Sequence, residues 1–482
     1  MEAVEEVQLV GSPEQSVASP PLVVDLDGTL VKTDLLLESL LALLKRGPRY
    51  LFVLPLWLLK GKAYLKQQIG RRVALDPRIL PYRGEFLDYL KTERAKGRSI
   101  VLATASDVEY AHQLADHLAL FDLVLASDGI ANLSGETKRN CLVSEFGEKG
   151  FDYAGNDRHD LAVWGSARKA IVVNPGAQLS SSVAWLAQVD RVFQDPKKGI
   201  AAYLAPLRPQ HWLKNLLVFV PLFAAHRFTD TALLGQALLA FLAFGSFASG
   251  GYLINDLLDL SADRRHPRKQ LRAFASGELA LPYGLVMIPV LVGLGCILAT
   301  LASAAVLGIA AAYFALTVTY SLYVKKIVLL DVIVLAGLYN MRILAGSAAV
   351  DVWPSQWLLA FATFLFFSLA LAKRYGELAT NHVSARGYEP NDEELLASMG
   401  IASGYLAILV LALYINSTTA HILYARPGLI WFLCPLLLYW ISHIWLAAHR
   451  GRMHDDPLVF ATSDRVSRRL ILLMLTIGVL AL

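Results

Sequence analysis

The chain has 482 residues, of which 55% are hydrophobic and only 17% charged. Soluble proteins carry roughly 45–50% and 25%, so this balance excludes a purely soluble protein. A net charge of +4 is small for such a length, and no nucleic-acid partner is expected; where the cations sit matters more than their sum.

Residues 1–20 are acidic and then rich in Ser and Pro, without the basic start and apolar core of a signal peptide, and read as a flexible tail. The stretch PLVVDLDGTL (21–30) follows. Leu22–Val24 is a short β-rich run, and Asp25 and Asp27 come at period two, on one side of the strand's end. One carboxylate can attack a phosphorus atom while the other delivers a proton to the leaving oxygen. A magnesium ion beside them would offset their repulsion.

A helical insertion of cap size covers about 34–95. Its piece YLFVLPLWLLKGKAYL has an apolar run of about 13 residues before Lys60, too short to span a bilayer. Burial in the cap core is the first expectation, and lying on a membrane surface is the second. The neighbouring cations Lys45, Arg46, Arg49, Lys60, Lys62 and Lys66 favour an anionic surface. SIVLATASD (99–107) is a second strand, ending in Thr104, Ala105 and Ser106, which can hydrogen-bond phosphate. Lys138 could neutralise a transferring group, and FDYAGNDRHDLAVW (151–164) is a third strand-to-acid element with Asn156, Asp157 and Asp160. Strand carboxyl ends form the ligand crevice of an open α/β sheet. Residues 195–207 read as a join, and Cys141, Cys296 and Cys434 have no metal-site spacing.

From about 205 onward, apolar stretches recur. Nine candidate spans fall near 212–226, 231–253, 281–302, 304–323, 327–350, 356–373, 400–418, 428–448 and 469–482, the first and last being short. Alternate loops are basic: Arg264 to Arg272, then Lys325–Lys326, then Lys373, Arg374 and Arg386, then Arg450 to Arg469. Such loops face the cytoplasm, which places the N-terminal half there too.

Asn255, Asp256, Asp259 and Asp263 follow the second span, and spacings of three and four put the three carboxylates on one helix face. Carboxylates so close repel unless a magnesium ion joins them. Arg264, Arg265, Arg268, Lys269 and Arg272 come next and could grip phosphate oxygens. Tyr320, Lys325, Lys326, Asp331, Tyr339 and Arg342 lie along two apolar helices, where ionisable groups are costly and by default functional.

The segments LRPQHWLKNLLVFVPLFAAH (207–226) and NDLLDLSADRRHPRKQLRAFASG (255–277), with Tyr320, Lys325, Asp331 and Arg342, resemble the UbiA-type intramembrane transferases. The usual second motif has two aspartates four apart, whereas here the position four after Asp331 is Leu335. RPQHWLKN and DDPLVFATSDRVSR (455–468) are more similar to the decaprenyl-phosphate phosphoribosyltransferase branch. That resemblance implies a helical bundle of nine spans, phosphoribosyl pyrophosphate as donor and a polyprenyl phosphate as acceptor. Asp256, Asp259 and Asp263 would hold magnesium and donor diphosphate. Asn255, Lys214, Lys269, Arg272, Tyr320, Lys325, Lys326, Asp331, Tyr339 and Arg342 would contact substrate.

The order DxDGT, hydroxyl residue, lysine, acidic motif resembles the haloacid dehalogenase superfamily of phosphatases over about 20–200. It implies Asp25 as nucleophile, Asp27 as acid and base, Thr104 with Ala105 as phosphate ligands and Lys138 as charge stabiliser. Asp25, Asp27, Asn156, Asp157 and Asp160 are the candidate magnesium ligands, with Asn156 standing where the family has an acid.

The expected protein is therefore multidomain: a tail (1–20), a Rossmann-like α/β phosphatase domain (21–200) and an all-α membrane domain (201–482). It would be a bifunctional magnesium enzyme of a bacterial inner membrane, its phosphatase half cytoplasmic, with a homo-oligomer left open. The alternative is a prenyltransferase acting on an aromatic acceptor, with the N-terminal half a non-catalytic scaffold.

Overall fold

The computed structural model describes residues 19–196, 198–381, 387–453 and 456–482. Residues 1–18 of the expected tail, Arg386 of the third basic loop and Asp455 lie outside them. Two compact units form: residues up to Lys198 with Leu260–Leu281, and Gly199–Asp259 with Pro282–Leu482. The expected boundary near 200 made no provision for Leu260–Leu281, which folds with the first unit.

The first unit is built on six parallel strands: β1 (Leu22–Val24), β2 (Ile100–Asp107), β3 (Leu123–Ser127), β4 (Asp152–Gly155), β5 (Lys169–Val173) and β6 (Gln188–Phe193). Their order is β3-β2-β1-β4-β5-β6. A parallel sheet is covered on both faces, so its central strands are apolar throughout. Alternation assigns the faces: Leu22 and Val24 join Leu102 in one core, while Val23 joins Val101 and Ala103 in the other.

The insertion after β1 folds as helices Leu35–Arg46, Tyr50–Leu59, Lys62–Gly70 and Gly84–Ala95. Asp34 starts the first by accepting from the Leu37 amide at 2.9 Å. The expectation that the apolar run at 50–59 is cap core is not met, because none of its residues is buried. Within the same unit, Arg264 donates to Glu38 at 2.8 Å and to the Ala275 carbonyl at 2.8 Å, and both charged side chains are buried. Arg264 is therefore structural and not one of the phosphate-gripping cations expected of its loop.

Among the described residues of the second unit, seven helices are long and apolar enough to cross a membrane: Thr231–Leu258, Leu281–Ala302, Ala304–Leu322, Leu330–Val350, Gln356–Ala379, Pro390–Ile415 and Pro427–His449. Helices suit that role because every backbone group is bonded within the segment. The two shortest expected spans do not qualify. The first is a 3₁₀ helix, Pro209–Phe219, followed by the short helix Val220–Ala224. The last, Arg465–Ala481, has 17 residues.

Candidate functional site

In the first unit, the carboxyl ends of β1, β2 and β4 meet where the strand order reverses, the usual ligand crevice of such sheets. Asp25 directly follows β1 and is buried. Its Oδ1 accepts from Lys138 Nζ at 2.6 Å and its Oδ2 from the Thr29 hydroxyl at 3.2 Å. That hydroxyl is also 3.0 Å from Asn156 Oδ1, which brings Asn156 to the same carboxylate. Gly28 permits the turn: its φ is 75°, and a Cβ there would lie 2.2 Å from Asn156 Nδ2.

Asp27 Oδ1 accepts from the Leu35 amide at 2.8 Å and Oδ2 from the Ser106 hydroxyl at 2.5 Å. Burial first, then the Asp34 charge, pushes the Asp27 carboxyl up to about 7, against the Ser106 bond. Burial also raises Asp25, with Lys138 opposing. For Lys138, burial disfavours the cation, but Asp25 and Asp160 outweigh it and hold the ammonium above its ordinary range.

The expected phosphate ligand Thr104 is fully buried, and its Oγ1 accepts from the Ser106 amide at 3.0 Å. Thr104 thus holds the turn, while Ser106 reaches Asp27. The Ala105 carbonyl accepts from Lys66 Nζ at 2.6 Å and from the Ser127 hydroxyl at 2.8 Å. Among the candidate metal ligands after β4, Asp160 is occupied: Oδ2 accepts from the Asn156 and Asp157 amides at 3.0 Å, and Oδ1 from the Tyr153 hydroxyl at 2.6 Å. Asp157 is exposed and caps its own turn. The amide side chain of Asn156 is the one placed beside Asp25.

In the second unit, the helix Thr231–Leu258 ends just before Asp259, its C-cap. The expected single helix carrying three carboxylates is therefore broken, and Asp263 sits in the separate short helix Leu260–Arg265. Asp263 is paired with Arg272 at 2.7 Å, both within the first unit. Asp256 pairs with Arg208 at 2.5 Å. Lys325 pairs with Asp259 at 2.6 Å and reaches Asn255 Oδ1 at 3.4 Å. Lys269 is half-buried in the first unit and Lys326 is exposed.

A second group forms around buried Asp456. Lys214 lies 2.6 Å and Lys373 3.5 Å from it, and the Tyr339 hydroxyl donates to it at 3.1 Å. Burial alone would raise the Asp456 carboxyl, yet Lys214 and Lys373 hold it well below the usual range. Arg342 donates to Asn215 Oδ1 at 2.8 Å and to the Tyr313 hydroxyl at 2.8 Å. His211 feels this crowding: burial, then Lys214 and Arg208, push its imidazole down to about 4.

Asp331, expected at the substrate, is fully buried with both oxygens taken, by Arg374 at 2.5 Å and by the Tyr388 hydroxyl at 2.5 Å. Tyr320 accepts from the same Arg374 at 2.8 Å. These residues form a structural network, not an open site. Arg208, His211, Lys373 and Asp456, which stand in these two groups, were not singled out from the sequence. The only signal was their place in the quoted runs RPQHWLKN and DDPLVFATSDRVSR or in a basic loop.

Among the described residues, no three His, Cys, Asp or Glu side chains stand close enough to hold a metal ion by themselves. Magnesium usually takes one or two carboxylates together with substrate phosphates and water. Asp256 with Asp259, and Asp25 with Asn156, are oxygen donors of that kind.

Among the described residues, seven apolar helices mark a multi-span membrane protein, and acids and cations gather in its buried interior. The model of the UbiA prenyltransferase family matches residues 216–463. The chain belongs to that family and is a membrane transferase. It is 36% identical over 458 residues to the uncharacterized protein y4nM of Sinorhizobium fredii, covering 93% of this chain and 88% of that one. It is 34% identical over 193 residues to the decaprenyl-phosphate phosphoribosyltransferase of Corynebacterium glutamicum, covering 38% of this chain and 57% of that one. A solved UbiA homolog from Archaeoglobus fulgidus, bound to GPP and Mg2+, is 16% identical, with a TM-score of 0.46 over 57% of this chain and 99% of that one.

Proposed function

We propose that the membrane unit transfers 5-phosphoribose from phosphoribosyl pyrophosphate to a polyprenyl phosphate. The observation carrying this reading is a surplus of cations. Among the described residues, Arg208, Lys214, Lys325, Arg342 and Lys373 stand with Asp256, Asp259 and Asp456, and Glu377 also acts on Lys373. A donor and an acceptor that are both phosphorylated would use that excess; a neutral aromatic acceptor would not. The name of the Corynebacterium relative points the same way.

An acceptor phosphate oxygen attacks the anomeric carbon, whose bond to the diphosphate breaks as the electron pair leaves with the diphosphate. Asn255, Asp256 and Asp259 would hold a magnesium ion, which supplies charge neutralisation for that leaving group. Arg208 and Lys325, which balance the two aspartates, are placed to add donors as negative charge builds on the leaving oxygens. The acceptor is already an anion, so no strong base is required.

The first unit, in this reading, is a haloacid dehalogenase-type phosphatase that removes the 5-phosphate from the lipid-linked product. Asp25 attacks phosphorus, the ester P–O bond breaks, and Asp27 gives its proton to the leaving oxygen. Asp27 then takes a proton from the water that frees the phosphate. Lys138, 2.6 Å from Asp25, neutralises the transferring group. Asp25 and Asn156 would share the magnesium ion. The positive-inside rule, applied to the basic loops, favours the cytoplasmic side of a bacterial plasma membrane for this unit.

Purified protein given phosphoribosyl pyrophosphate, a polyprenyl phosphate and magnesium should form a lipid-linked ribose. Asp25→Asn should stop at the lipid-linked ribose 5-phosphate, and Asp256→Asn should form neither. The family's description favours one other donor, a prenyl diphosphate. Labelled phosphoribosyl pyrophosphate that binds no better than a prenyl diphosphate would select it.

A further inference from the structure

The helix Tyr50–Leu59 in the first unit is apolar on the side turned away from the protein. Tyr50, Leu54 and Trp57, at spacings of four and three, are partly buried against the core. The remaining face carries Leu51, Phe52, Leu56, Leu58 and Leu59, which are between 51% and 84% exposed, and Pro55, also exposed. Ordinary surface helices turn charged residues outward; this one turns leucine and phenylalanine outward. Ten residues make a helix of about 15 Å, half the thickness of a bilayer core, so it cannot cross.

The charges that flank it in the sequence have one sign. Between Ser39 and Leu75 the sequence holds Lys45, Arg46, Arg49, Lys60, Lys62, Lys66, Arg71 and Arg72 and no carboxylate. Arg49 and Lys60 stand exposed at the two ends of the helix, with Arg49 over the Tyr50 ring and Lys60 over the Tyr64 ring. An apolar face framed by cations and aromatic rings suits the boundary between acyl chains and anionic headgroups.

We propose that this helix docks the first unit onto the surface of an anionic bilayer, with Leu51, Phe52, Leu56 and Leu59 among the acyl chains and Arg49, Lys60 and Lys62 at the headgroup phosphates. The inference rests on the first unit's surface and holds whether or not that unit is a phosphatase. A lipid-bound unit would meet a lipid-linked substrate in two dimensions, its phosphate presented at the same depth as these cations.

The full chain, with Cys141, Cys296 and Cys434 changed to serine, is labelled with an environment-sensitive fluorophore at Phe52→Cys or, as a control, at Ile130→Cys, which is 93% exposed elsewhere on the unit. Both are reconstituted into vesicles of phosphatidylcholine with phosphatidylglycerol. Doxyl-labelled lipid should remove most of the emission at position 52 and iodide little of it, with the reverse at 130. Arg49→Glu, Lys60→Glu and Lys62→Glu together, or vesicles of phosphatidylcholine alone, should restore much of the iodide quenching at 52. None of these side chains is buried, so an unchanged melting temperature separates lost docking from lost folding. Equal iodide quenching at both positions in anionic vesicles overturns the proposal. So does shielding at 52 from both quenchers, the sign of a protein partner or a second copy, or protection that is unchanged in neutral vesicles.

Discussion

Asp27 has the Leu35 amide and the Ser106 hydroxyl on its oxygens, and its carboxyl is still pushed up to about 7. An unfolded aspartate titrates near 3.9, so between about pH 4 and 7 the folded chain holds a proton that the unfolded chain has lost. Asp27 therefore supports the fold in acid, and that support is lost as pH rises through about 7. A magnesium ion bound beside the carboxylates would reverse the preference. Magnesium should thus raise the first unit's melting temperature more at about pH 8 than at about pH 5.5, and Asp27→Asn should flatten that difference in calorimetric scans. Asp25 makes a second case. Asp25→Asn removes the closest partner of buried Lys138, and breaking a buried pair costs about 3–5 kcal/mol. Turnover of a phosphomonoester should vanish and stability fall. Adding Lys138→Met should recover most of the stability in a denaturant titration and none of the turnover.

At the scale of elements, the run from Asn255 to Arg272 shows what the sequence could and could not reveal. The aspartates stood out because they crowd a short motif after an apolar run, just as Asp25 and Asp27 do at the end of β1. The break at Asp259 was not, since a spacing of three and four is as regular across a broken helix as along a whole one. Long-range pairs were equally hidden. Lys214 meets Asp456 across 242 residues, and Arg264 meets Glu38 across 226, with no local pattern naming the partner. Asp331 was misread for the same reason: an acid inside a span signals either function or a buried partner, and Arg374 on another helix decides it. This separates two variants. Asp331→Asn should cost about 3–5 kcal/mol of stability by leaving Arg374 buried beside a neutral group, with the KM for phosphoribosyl pyrophosphate near that of the wild type. Arg208→Ala, beside Asp256, should raise that KM with little change in melting temperature. Initial rates and thermal melts in detergent distinguish them.

Across the whole molecule, what matters is that an α/β unit and UbiA-family helices share one chain. The relative y4nM aligns over 93% of this chain, so the similarity runs through both units. Tethering makes a second encounter intramolecular, at an effective concentration of order mM for a short connection. If the first unit acts on what the membrane unit makes, the lipid-linked ribose 5-phosphate should be consumed on the chain that formed it. The two single-site variants supply the comparison. Asp25→Asn keeps transfer and lacks hydrolysis, whereas Asp256→Asn keeps hydrolysis and lacks transfer. Mixed in equal amounts in dilute vesicles, they must exchange product between chains, and dephosphorylated lipid should appear only after a lag in which its phosphorylated precursor accumulates. Wild-type protein at the same concentration of each working site should show no such lag. Diluting the vesicles with extra lipid should lengthen the lag of the mixture and leave the wild type unchanged, because only the mixture depends on an encounter between chains. Equal time courses for mixture and wild type, read by mass spectrometry of the extracted lipids, would mean that the two units work independently and that their fusion serves something other than hand-over.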